Sequence, residues 1–141
     1  MERSPTTVWE TPFTHAQYPS VGLVIEPDGE GTALLVVAPG GLDAYPKYLV
    51  RFTHVLSVTC SEEAGSLLEL GQECCPRDVI AYVWDASPHS AAYRSTVLGA
   101  NLSILHYVIL GGDNMVSVVC GSTPSIETFD SPTELAVRYA V

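Results

Sequence analysis

Lysine is almost missing from this chain. Its 141 residues hold six Lys or Arg, Lys47 being the one lysine, against sixteen Asp or Glu, for a formal net charge of −10. A surface of that sign repels phosphate backbones, which argues against nucleic acid as a partner and makes a basic protein the natural complement. Long apolar runs are missing as well. No stretch approaches the roughly 18 residues that a membrane-spanning helix needs, and the opening Met1-Glu2-Arg3-Ser4-Pro5 begins no signal-peptide core. No membrane partner is expected, and the default location is the cytoplasm. Charge of either sign is scarce, at 16% of residues against 47% hydrophobic, which excludes a disordered or purely solvating chain. The length suits a single domain over residues 1–141 with one core, residues 1–20 forming an extended lead-in.

Cysteine is sparse and wrongly spaced for a metal knuckle. Cys74 and Cys75 are adjacent, and Cys60 and Cys120 stand alone in strand-like surroundings, so the spacing predicts buried free thiols and no metal site. Glycine-rich phosphate loops are absent too. The pairs Gly40-Gly41 and Gly111-Gly112 lack the Lys-Ser or Lys-Thr of a P-loop and the spacing of a dinucleotide site, and read as turns. No cofactor is expected.

What the chain does have is strand signal. Residues 104–110 and 115–120, joined by Gly111-Gly112-Asp113-Asn114, read as a β-hairpin. Further strands are predicted at 21–25, 32–38, 47–60 and 79–84, with an edge strand at 126–129. In 47–60 the residues Tyr48, Val50, Phe52, His54, Leu56 and Val58 share one parity, which predicts a long strand with that face on the core. Ser87-Pro88 has the form of a helix start, with Ser87 as cap and Pro88 in the first turn. Helices are predicted at 87–98 and 132–139. The fold class expected is therefore α+β, an antiparallel, strongly twisted sheet with short helices covering one face. Its unpaired edge would allow a homodimer.

Chemistry is harder to read. The four histidines, His15, His54, His89 and His106, are dispersed. A small-ligand or hydrolytic site would need His54, His106 and Tyr107 to converge on the polar side of the sheet, with a Ser or Cys in front. No serine lies in a Gly-x-Ser-x-Gly elbow, and Gly121-Ser122-Thr123-Pro124 reads as a strand-exit turn. The carboxylates Glu62, Glu63, Glu69 and Glu73 fall close together and would make an acidic face able to steer a basic partner. Trp84 and Arg94 flank the predicted helix start and are residue types that dominate interface energetics.

Residues 47–57, the run Asp85-Ala86-Ser87-Pro88, and residues 106–109 with 116–119 resemble a loose pattern in small uncharacterised bacterial cytoplasmic proteins of the toxin-immunity kind. The resemblance covers about half the chain and transfers no catalytic residue. It implies an interaction protein. The expected function is thus a non-enzymatic binding protein, an immunity-type inhibitor of a basic protein partner, using Glu62, Glu63, Glu69, Glu73, Trp84 and Arg94. The alternative is the ligand or hydrolytic site near His54, His106 and Tyr107.

Overall fold

In the computed structural model the chain builds two antiparallel sheets packed face to face. The structure describes residues 6–16, 19–25, 31–41, 44–62, 79–84, 87–94, 104–111 and 114–131. Along them run β1 (Thr6–Val8), β2 (Ser20–Ile25), β3 (Ala33–Ala38), β4 (Lys47–Phe52), β5 (Val55–Glu62), β6 (Ala81–Trp84), the helix α1 (Pro88–Arg94), β7 (Leu105–Leu110), β8 (Asn114–Cys120) and β9 (Ser125–Phe129). The larger sheet has the order β1-β6-β7-β8-β5 and the smaller β2-β3-β4-β9. The α+β expectation is therefore corrected: the described residues form a β-sandwich, and their one helix is seven residues long. The run of β3, Ala33-Leu34-Leu35-Val36-Val37-Ala38, does not alternate, and both of its faces are largely buried. On one of those faces the cover is a second sheet. The helix predicted at 132–139 lies outside the described residues.

Strand periodicity explains how the layers meet. Successive side chains alternate between the two faces, so Leu35 and Val37 of β3 and Val50 and Phe52 of β4 point inward from the smaller sheet, while Tyr107 and Ile109 of β7 and Val116, Val118 and Cys120 of β8 point inward from the larger. The opposite parity of the larger sheet carries a second apolar cluster, Tyr82, Trp84, Val108 and Met115. That of the smaller sheet carries Leu34, Leu49 and Phe129.

The long strand expected at 47–60 divides in two. β4 belongs to the smaller sheet and β5 to the larger, and the crossing occurs at Thr53 and His54. His54 takes a left-handed backbone with φ of 52°, a region that L residues other than glycine enter at a cost and that turns the chain sharply. Sequence parity had placed His54 on the core face; at this corner it is exposed. A register shift between Val55 and Ser57 then adds a bulge at the start of β5, a usual device beside a sheet corner. The predicted hairpin is present, β7 pairing with β8 from Leu105↔Cys120 to Leu110↔Met115.

Part of the lead-in is structural. β1 pairs with β6 at the edge of the larger sheet, and the turn after it is organised by Thr14, a fully buried residue. The Thr14 hydroxyl donates to the Trp9 carbonyl at 2.6 Å and accepts from the Thr11 amide at 2.7 Å, while the Thr14 carbonyl accepts from the Ile80 amide at 2.9 Å. This tie sets Phe13 and Trp9 between the sheets. The Trp9 ring lies 4.8 Å from Tyr107, 6.1 Å from Phe13 and 6.3 Å from Phe52, and Phe52 meets Tyr107 at 5.7 Å. Phe52 has no exposed surface. Truncating Phe52→Ala should lower the unfolding free energy by about 3–5 kcal/mol, the usual range for removing a buried aromatic ring. Urea unfolding followed by circular dichroism measures this. A loss under about 1 kcal/mol would show that the inter-sheet aromatic cluster contributes little.

Candidate functional site

Two imidazole–hydroxyl pairs stand out, at different places on the larger sheet. The first is buried. His106 lies on the outer parity of β7, with 2% of its surface exposed, and its Nδ1 lies 2.7 Å from the Ser87 Oγ. The indole of Trp84, on the adjacent β6, stacks over the imidazole at 5.3 Å with 23° between planes. Ser87 caps α1 as its sequence predicts: its Oγ accepts from the Ser90 amide at 3.0 Å, and Pro88 opens the helix. Ser87 Oγ also donates to Ser90 Oγ, and that hydroxyl donates to the Ser87 carbonyl, both at 3.1 Å. With its proton spent on Ser90 and one lone pair on an amide, the Ser87 oxygen has one acceptor position left for His106. The count assigns the proton of that bond to Nδ1.

The second pair is at the corner. His54 Nδ1 lies 3.4 Å from Ser122 Oγ, which donates to the Thr53 carbonyl at 3.0 Å and also bonds the Thr53 hydroxyl. The Gly121 amide donates to the His54 carbonyl at 2.9 Å, and the Cys120 thiol donates to the Ser122 carbonyl at 3.3 Å. The Gly-Ser-Thr-Pro segment is thus a strand-exit turn, as expected, and it is laced to the β4–β5 corner. That this puts Ser122 beside His54 was invisible in the sequence, since the two are 68 positions apart.

Neither pair supplies a nucleophile poised for transfer. Such a serine presents its O–H to the base, whereas Ser87 gives its proton to Ser90 and Ser122 gives its proton to Thr53. The trio of the alternative reading does not converge. His106 and Tyr107 are neighbours on one strand and so face opposite sides of the sheet: His106 lies outside under Trp84, and Tyr107 lies inside against Trp9 and Phe52. His54 sits apart at the exposed corner. Among the described residues no group of three or more His, Cys, Asp or Glu is placed to hold a metal ion.

The partner-binding candidates divide as well. Trp84 is 6% exposed and packs with Tyr82, Val108 and Met115, so it is a core anchor and not a surface one. Glu62 ends β5, a strand with one neighbour among the described residues, and Arg94 ends α1; Glu63, Glu69 and Glu73 lie outside the described residues. Of the thiols, Cys120 is buried and Cys60 exposed, which corrects the expectation that all are buried; Cys74 and Cys75 also lie outside.

Burial pushes the Cys120 thiol up from 9.0 to about 11, opposed in part by hydrogen bonding with the Ser122 backbone. It is an unreactive core group at neutral pH. Tyr107 is raised too, by burial first and then by the neighbouring Cys120, against a side-chain hydrogen bond with Thr123. Both groups hold their protons in the fold at a pH where the unfolded chain has lost them, so stability should fall as pH rises above 9.0 toward about 11. Cys120→Ala should flatten that fall in urea titrations at successive pH values. An unchanged slope would remove the thiol from the account.

His106→Ala strips a bond from the helix cap and the ring from beneath Trp84, and should cost about 2–4 kcal/mol. His106→Asn, whose amide nitrogen reaches the Nδ1 position, should recover part of this in the same assay. Equal losses in both variants would mean that the ring's packing alone matters. Compared with known proteins, the chain matches no family model, no curated protein and no solved structure.

Proposed function

We propose that this protein is a non-enzymatic binding protein for a basic protein partner, of the immunity-inhibitor kind, acting in the cytoplasm. The observation that carries the reading is the one-sided charge, sixteen acidic residues against six basic ones, in a chain of low total charge. The side chains that a hydrolytic reading would need support it indirectly, because Ser87 gives its hydroxyl proton to Ser90 and Ser122 gives its own to the Thr53 carbonyl. Among the described residues no helix is long and apolar enough to cross a membrane.

An acidic surface draws a basic partner over distances near the Debye length, about 8–10 Å in physiological salt. It acts mainly by raising the association rate. The acidic segment that begins at Glu62 is proposed to supply the charge for this contact, and Arg94 is proposed to join it in the complex.

The test is capture from the source cell at low and high salt, followed by association kinetics with the purified partner. A stoichiometric basic protein should bind with a rate that falls about tenfold or more between low and physiological ionic strength. Neutralising Glu62, Glu63, Glu69 and Glu73 to Gln should slow association while changing dissociation little. Recovery of no partner at low salt, or association indifferent to salt and to the four substitutions, would sink the proposal.

A further inference from the structure

The helix α1 lies on the outer face of the larger sheet and is tied there at both ends. At its start the Ser87 hydroxyl meets His106 on β7 at 2.7 Å, and near its end the Tyr93 hydroxyl donates to the Leu56 carbonyl on β5 at 3.3 Å. In the sheet order β8 lies between β7 and β5, so the two ties fall on the strands either side of β8. The fit is metric. Seven helical residues rise about 10 Å, and two interstrand gaps also span about 10 Å. Register links the two tied strands in one row, with His106 opposite Val119 and Val119 opposite Ser57, and the Trp84 stack continues that row onto β6.

Little within the helix holds it in shape. It is far shorter than the roughly 12–15 residues at which isolated helices become even marginal in water. Its first turn has no acidic residue to favour the helix dipole. Ala91 and Ala92, near its middle, are exposed, so the segment relies on its anchors and on the buried Ser87 and Ser90.

We propose that α1 is a strap that opens as a unit from the larger sheet, with the Ser87–His106 and Tyr93–Leu56 bonds as latches among the described residues, and that its opening uncovers the Trp84–His106 stack while the sandwich stays folded. This device is independent of the charge-based reading of function and would hold if no basic partner existed.

Amide hydrogen exchange on the full chain tests it, read residue by residue at low urea concentrations. The amides of Ala91 to Arg94 should exchange through an opening nearly insensitive to urea, while those of Val108 and Val118 follow global unfolding with its full urea dependence. Ser87→Ala should speed exchange in the helix about five- to tenfold, the usual effect of losing a capping serine, and leave Val108 and Val118 unchanged relative to the variant's own global stability. Tyr93→Phe, at the opposite latch, should speed the same helical amides and serves as the second reading if Ser87→Ala folds poorly. The proposal is overturned if the helical amides exchange only with global unfolding, or if neither substitution speeds them beyond the core.

Discussion

The contact between the two sheets is the constraint from which the rest of this structure follows. Phe52 from the smaller sheet and Tyr107 from the larger meet through their rings, with Trp9 laid against both. Aromatic side chains bring the largest apolar area per residue and prefer tilted or edge-on contacts, and these pairs are inclined by 56° to 59°. For Phe52 to face Tyr107, β4 must lie in one sheet and β7 in the other. For Trp9 to enter, the turn at residues 11–14 must be held in place, and the buried Thr14 does this by satisfying backbone groups that would otherwise lie unpaired in an apolar setting.

Once the sheets are stacked, polar groups at their margins have to be accounted for. The chain crosses between sheets at Thr53 and His54 and again between β8 and β9, and the two crossings share one set of bonds through Ser122. On the outer side, His106 and Ser87 would each be costly to bury alone. Paired through Nδ1 and Oγ, and with Ser90 taking the Ser87 proton, they hold the start of the helix. The same accounting weakens the hydrolytic alternative, because hydroxyls that hold corners and caps have no proton to give to a neighbouring imidazole.

How much was legible varies by residue. The β7–β8 hairpin and the Ser87 cap could be read because each is local: alternation about a glycine turn for one, a serine before a proline for the other. β1 is not legible in the sequence, since three residues of Thr and Val carry too little periodicity to separate from an extended segment. The single long strand expected at 47–60 is two strands. Its apolar alternation runs through His54 without a Gly or Pro to mark the break, and the left-handed turn there is set by which sheet each half joins. Trp84 suggests an interface by residue type and proves to be a core anchor, because a large aromatic serves either place and composition does not distinguish them. The proximity of Ser122 to His54, and the separation of His106 from Tyr107, concern which distant strands lie side by side and which face each residue takes.

By itself, then, the sequence determined a charge of one sign, a strand-rich chain, the paired β7 and β8, and a helix beginning at Pro88, since these depend on composition and on neighbours a few positions apart. Only the tertiary structure decided that a second sheet covers the inner face of β3, that one long apolar run is two strands in different layers, and that the histidines serve separate places. The reason is physical. Alternation states that a strand has an apolar side, but what covers that side is chosen by whichever distant element buries it best, and no local pattern records the choice.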